Sequence, residues 1–182
     1  MNLLARIWYD LGQLRQTMAK ASKDSSFRIV PAIALIQAHA KLPRGAKILD
    51  LGCRNAIEPR LLREAGWDVD PVDLWPMALG IRRGDMHALP CPDRAYDLVF
   101  ASHCLEHAHT PDRALAEIAR VLRRPGWLWA EFPVGFTTTA HDRTDYGSAG
   151  QLLALMVGRG SEARLVYSDE RLGVVRALIA LA

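Results

Sequence analysis

The stretch Lys47-Ile48-Leu49-Asp50-Leu51-Gly52-Cys53 has the pattern of a buried strand that closes on an acid and runs into a glycine turn. A second stretch, Asp68-Val69-Asp70-Pro71-Val72-Asp73, does the same and ends on Asp73, 23 positions beyond Asp50. In an open α/β sheet, ligands sit outside the carboxyl ends of the strands, where the strand order reverses. An acid at the end of the second strand can accept hydrogen bonds from both hydroxyls of a ribose. The spacing therefore points to a nucleoside-containing cofactor, without choosing between a dinucleotide and S-adenosylmethionine.

Working outward from Lys47, short apolar runs alternate with helical segments, the pattern of a parallel sheet with crossover helices. Strands are predicted at residues 47–51, 68–72, 96–101 and 127–132. A helix is predicted over 57–65, with Pro59 near its start and Gly66 just past its end. Thr110-Pro111-Asp112 reads as a helix start, with a capping hydroxyl, proline at the first position and an early acid. Leu115, Ile118 and Leu122 give that helix its buried face, and Pro125-Gly126 is expected to end it. A further helix is expected from beyond Gly147 to about Met156. Residues 163–167 and 174–181 suit the last two strands, the latter equally a short helix. Trp67, Trp127 and Trp129 are expected in the core or on a sheet face.

On the amino-terminal side, Leu3, Leu4, Ile7, Trp8, Leu11, Leu14 and Met18 fall on one helical stripe, broken by the polar run from Ser22 to Ser26. A second helix is expected from about Val30 to Ala40, with Pro31 in its first turn. This divides the chain into an N-terminal helical segment, 1–43, which packs on the core or lids the pocket, and an enzyme-like domain, 44–182. Docking of the N-terminal helix on a membrane surface or a partner is the alternative, with Arg6, Arg15 and Lys20 near its polar side.

The 182 residues are 50% hydrophobic and 24% charged, which suits one well-buried core and excludes wholesale disorder. The net charge of +3 comes without a run of five basic residues, so a dedicated nucleic-acid surface is not expected. Cys53, Cys91 and Cys104 form no CxxC pair and read as reduced thiols. No stretch reaches the roughly 18 to 20 apolar residues of a membrane span, and the N-terminus lacks the order of a signal peptide. A cytoplasmic location is the expectation.

The dinucleotide alternative weakens further along. The run Gly84-Asp85-Met86-His87-Ala88-Leu89-Pro90-Cys91-Pro92-Asp93, continuing through Tyr96-Asp97-Leu98-Val99, resembles the signature of class I S-adenosylmethionine-dependent methyltransferases. So do Leu105-Glu106-His107 and the segment from Pro111 to Gly126, in the same order as in that family. The resemblance, to the methyltransferase type 11-like members, covers roughly residues 47–133. It implies a Rossmann-like α/β fold with a mostly parallel seven-stranded sheet, strand order 3-2-1-4-5-7-6, an antiparallel last strand and helices on both faces.

It also implies roles for single residues. Asp50 and Gly52 match the acid and first glycine of the cofactor loop, in which Cys53 follows. Asp73, with Leu74 beside it, matches the ribose-binding acid, and Asp85, with Met86 beside it, the carboxylate that meets the adenine amino group. Ser102 and His103 lie where the family's chain passes the methionine portion of the cofactor. One departure stands out: Arg54 replaces the second glycine of the loop, where glycine permits close approach and positive φ. Arg54 crowds the loop unless its side chain swings outward or pairs with the cofactor's carboxylate. Asn55 tolerates the left-handed region and is expected to take the sharp turn.

For chemistry, the candidates are His141 and Asp142 in the polar stretch after the fifth strand, and His107. Any of them can serve as the base that takes an acceptor's proton. His103, His107 and His109 look like a metal cluster, but one loop of histidines without a carboxylate framework is not a zinc site, and no metal is expected. The reading is methyl transfer from S-adenosylmethionine to an oxygen or nitrogen of a small-molecule acceptor, compatible with a homodimer. The alternative is a methyltransferase-like binding or scaffold protein that has lost turnover, favoured by Arg54. An NAD-dependent oxidoreductase lacks its GxGxxG motif here.

Overall fold

The computed structural model describes residues 26–158 and 162–182. The stripe from Leu3 to Met18 and the polar break after it lie outside these, apart from Ser26. The elements run α1 (Ser26–Ala40), β1 (Lys47–Leu51), α2 (Ile57–Glu64), β2 (Asp68–Asp73), β3 (Arg82–Arg83), β4 (Tyr96–Ser102), a 3₁₀ turn (Leu105–His107), α3 (Pro111–Val121), β5 (Leu122–Pro133), α4 (Ala149–Val157), β6 (Ala163–Arg171) and β7 (Val174–Leu181). They build one seven-stranded sheet in the order β3-β2-β1-β4-β5-β7-β6. β1 pairs in parallel with β2 and β4, β2 with β3, and β4 with β5. β7 is antiparallel to both of its neighbours. The order and the single antiparallel strand are those the resemblance implied.

Alternation along the central strands splits the core between the two sheet faces, because successive side chains point oppositely. Ile48, Val69, Leu98, Phe100, Trp129 and Leu178 face Ile29, Ala32 and Ile36 of α1 and Leu62 of α2. Leu49, Leu51, Val72, Val99, Ala101, Leu128 and Ala130 face Leu115, Ile118 and Val121 of α3 and Leu152 and Met156 of α4. Trp67 and Trp129 are buried, and Trp127 packs at the edge of the first cluster, as expected.

Several boundaries differ from the sequence reading, each for a local reason. Pro125-Gly126 does not end α3. The helix stops at Val121, because Leu122 already pairs with Tyr96 and the chain enters β5 through an irregular start. Thr110 stands at the N-cap of α3 without a side-chain capping bond; its hydroxyl meets His109 Nδ1 at 3.0 Å instead. Ser148 does cap α4, accepting from the Gln151 N–H at 3.2 Å. Pro31 lies inside α1, beyond its first turn. Residues 174–181 are a strand, and β6 runs on to Arg171 because β7 pairs with its whole length.

Candidate cofactor and active site

The loop from Gly52 to Ala56 joins β1 to α2 and is shaped by two residues in the left-handed region. Gly52 has φ +81°, and a Cβ there would overlap the Cys104 side chain, so only glycine fits. Its N–H donates to the Val72 carbonyl at 2.8 Å, tying the ends of β1 and β2 together. The second left-handed residue is Arg54 itself, at φ +53°, and not Asn55. Asn55 is committed elsewhere: its Oδ1 accepts from the Ile57 N–H at 2.9 Å and opens α2. The left-handed turn at Arg54 aims its N–H at Asp73 Oδ2, 2.8 Å away, while the Trp75 N–H reaches Oδ1 at 2.6 Å. Burial raises the Asp73 pKa, against the pull of these two N–H groups and of the Arg54 and His107 charges.

Asp50 lies in β1 and is fully buried, and among the described residues neither of its carboxylate oxygens has a hydrogen-bond partner. Burial first, and then the nearby Asp73, push its pKa well above the usual carboxylate range, while Arg63 opposes them. Glu58, in the first turn of α2, is also buried, with Oε2 lacking a partner. Its pKa is raised by burial and by Asp50. Cys53 and Cys104 are buried beside these acids, and burial raises both thiols, which leaves them unreactive at neutral pH.

At the end of β4, the buried hydroxyl of Ser102 has no partner among the described residues. His103 follows at φ +50° and sits between two buried acids, with Nε2 3.2 Å from Glu131 and Nδ1 3.6 Å from Glu106. Burial alone would lower its pKa, but the hydrogen bonds to Glu106 and Glu131 outweigh it, and the imidazole is raised to about 9. Glu131 also lies 3.9 Å from Arg28 of α1.

Leu74 and Met86 are half-buried beside their acids. Asp85 is already engaged: its Oδ1 accepts from the His87 N–H at 2.9 Å and meets His87 Nδ1 at 2.6 Å. The His87 ring bond, foremost, holds the Asp85 pKa down to about 2. His87 in turn stacks on His109, with ring centroids 3.7 Å apart.

The three catalytic candidates come together, although His107 is more than thirty positions from the other two. His107 Nδ1 lies 3.1 Å from Asp142 Oδ1, His141 Nε2 lies 3.9 Å from the same oxygen, and the two imidazoles tilt against each other at 4.4 Å. The loop that carries His141 and Asp142 is laced to the 3₁₀ turn. The Arg143 and Thr144 N–H groups donate to the Glu106 carbonyl, and the Thr144 hydroxyl donates to the Ala108 carbonyl. The Thr139 hydroxyl accepts from the His141 and Asp142 N–H groups. His103, His107 and His109, by contrast, diverge to three different partner sets.

Sequence reasoning missed Glu58, Glu106 and Glu131 as members of this site, and His87 as the partner of Asp85. Glu131 carried a signal: it is the one charge inside the apolar run from Trp127 to Phe132, and such a charge needs a partner when buried.

Residues 49–130 match the family model described as a methyltransferase domain. Over 164 residues the chain is 28% identical to a ubiquinone biosynthesis O-methyltransferase of Burkholderia thailandensis, covering 78% of this chain and 67% of that protein. A malonyl-[acyl-carrier protein] O-methyltransferase of Serratia marcescens is 35% identical over 92 residues, covering 45% of this chain and 36% of that protein. Among solved structures, the 1,6-didemethyltoxoflavin-N1-methyltransferase of Burkholderia thailandensis superposes with a TM-score of 0.66 at 18% identity, over 98% of this chain and 86% of that one. The stretch 49–130 is thus similar to a methyltransferase domain, and the chain shares the fold of S-adenosylmethionine-dependent methyltransferases. The chain spans about two thirds of the length of the ubiquinone-biosynthesis relatives.

Proposed function

We propose that this chain transfers a methyl group from S-adenosylmethionine to an oxygen or nitrogen of a small-molecule acceptor. The observation that carries the reading is the carboxylate of Asp50, buried at the carboxyl edge of the sheet among further acids and without a hydrogen-bond partner among the described residues. An uncompensated buried carboxylate is costly, and a ligand with an ammonium and a sulfonium answers that cost by bringing positive charge to it. The residues present therefore fit the cofactor. Asp50, Gly52, Cys53 and Arg54 would form its methionine-side loop, Asp73 and Leu74 would hold the ribose, Asp85 and Met86 the adenine, and Ser102 and His103 the floor beside the methyl group. When bound, S-adenosylmethionine supplies a methyl already activated for displacement.

The chain's own task is to align the acceptor, exclude water and receive a proton. His107, His141 and Asp142 stand together for the last step, with Asp142 placed to orient the His107 ring. No nucleic-acid partner enters this reading. Among the described residues no helix is long and apolar enough to cross a membrane. The proposed location is cytoplasmic, with 44–182 as the methyltransferase-like domain and 1–43 as a segment over it.

A second reading, a binding or scaffold protein without turnover, is favoured by two observations: the left-handed arginine in the loop and the engagement of Asp85 by His87. Calorimetric titration with S-adenosylmethionine and S-adenosylhomocysteine separates the two. Saturable binding by the wild type that Asp73→Ala weakens by roughly 100-fold, the worth of two charge-assisted hydrogen bonds, supports the enzyme. No binding at millimolar ligand overturns it.

A further inference from the structure

We infer that His107, His141 and Asp142 form a binding site for one divalent transition-metal ion at the acceptor side of the sheet, an inference that rests on the methyl-transfer reading and deepens it. The three ligand atoms lie within 4.8 Å of one another. Adjacent donors on an ion with bonds of about 2.1 Å sit about 3.0 Å apart in octahedral and about 3.4 Å apart in tetrahedral geometry. The His107 Nδ1 to Asp142 Oδ1 distance of 3.1 Å falls between these, and the 3.9 Å from His141 Nε2 requires a shift of less than an ångström. The imidazole planes are inclined by 49°, so their lone pairs can converge on one point.

The other group of suitable side chains makes the contrast. Asp85, His87 and His109 are as close together, but the two imidazoles there are stacked at 17°, which aims their lone pairs side by side. That group is an acid clamp, and the tilted group is the ligand set.

Two features support a built site at the tilted group. The Thr139 hydroxyl folds the loop at His141 and Asp142, and the Glu106 and Ala108 carbonyls hold Arg143 and Thr144 against the turn that carries His107, so the donors are preorganised across two segments. Two histidines and one carboxylate leave coordination positions open, and Asp142 is half-exposed where they would face solvent or ligand. His107 lies in the turn that follows the carboxyl end of β4, so the group stands on the same edge as the cofactor acids. The open positions suit the hydroxyl of an oxygen acceptor. An ion there lowers the proton affinity of that hydroxyl, with the proton released to solvent, and the trio then fixes the acceptor oxygen instead of receiving its proton.

The test uses the full chain without a histidine tag, stripped with EDTA and titrated with Co²⁺ and Mn²⁺, read by visible absorption and electron paramagnetic resonance. S-adenosylhomocysteine binding is measured in parallel. Uptake of one ion per chain, weakened roughly 10-fold or more by Asp142→Asn and by His141→Gln with S-adenosylhomocysteine binding intact, is the expected result. Absence of uptake at millimolar ion, or uptake undiminished in both variants, overturns the site. Failure of the wild type to bind S-adenosylhomocysteine overturns the methyl-transfer reading instead, whatever the ion does.

Discussion

Asp50 occupies a position where a carboxylate is expensive, and the expense has a direction in pH. Its folded-state pKa is raised by burial and by Asp73, so whatever stability it contributes is present below the pKa of the unfolded chain and is lost as pH rises above it. Near neutral pH the ligand-free protein carries a buried acid with no hydrogen-bond partner among the described residues. Asp50→Asn keeps the shape and removes that burden. The variant is expected to be more stable than the wild type by about 1–3 kcal/mol at pH 7 in urea denaturation. It is also expected to lose most of its affinity for S-adenosylmethionine in calorimetry. A variant that loses stability, or binds as well as the wild type, contradicts the role given to Asp50. The acid itself was legible in the sequence, because an aspartate closing an apolar run before a glycine has few other reasons to be there. The conformation of Arg54 was not. Left-handed φ depends on where its N–H must go, and the acceptor, Asp73, lies 19 residues away. A local propensity argument hands the turn to Asn55, whose side chain the start of α2 had already claimed.

At the scale of the element, the turn that follows β4 does most of the organising. It delivers Ser102, His103, Glu106 and His107 within six residues, and β5 brings Glu131 alongside through the Ser102 to Glu131 pairing. The strands themselves could be read from their apolar runs. Which acids met across them could not, since that depends on register. Glu131 faces His103 only because β5 begins early, at Leu122, and slips past an irregularity before Trp127. The His103 imidazole held between two glutamates makes a further prediction. Its folded pKa, about 9, lies above its ordinary 6.5, so its stabilisation is full below about pH 6.5 and disappears as pH rises through about 9. His103→Gln should therefore be less stable than the wild type at pH 6, with the difference shrinking as the pH climbs to 9.5. Urea denaturation of both proteins across that range measures it, and a difference that stays constant with pH would mean that the ring is held by packing alone.

For the whole molecule, the parallel sheet followed from the alternation of short strands and helices, but its order did not. Nothing in the periodicity distinguishes 3-2-1-4-5-7-6 from other doubly wound arrangements; the ordered motifs of the resemblance supplied it. The consequence of that order is spatial. It places the carboxyl ends of β1, β2 and β4 side by side, so Asp50, Asp73 and the turn carrying His103 share one edge, while the opposite edge carries Lys47, Asp97 and Arg123, joined by hydrogen bonds of 2.7 Å. A ligand bound at the first edge should stabilise that edge and leave the second unaffected. At a ligand concentration 100 times the Kd, linkage contributes about 2.7 kcal/mol. For a chain of this size that corresponds to a rise in Tm of roughly 5–10 °C. Saturating S-adenosylhomocysteine should also slow amide exchange in the backbone around Gly52–Ile57, Asp73–Met77 and Ser102–His107, with residues 43–47 and 94–97 unchanged. Protection spread evenly over both edges would indicate a global effect of binding, and protection confined to the second edge would put the ligand at the wrong end of the sheet. Both patterns can be told apart in one exchange experiment, because the two sets of loops are joined by strands whose own amides are already hydrogen-bonded within the sheet.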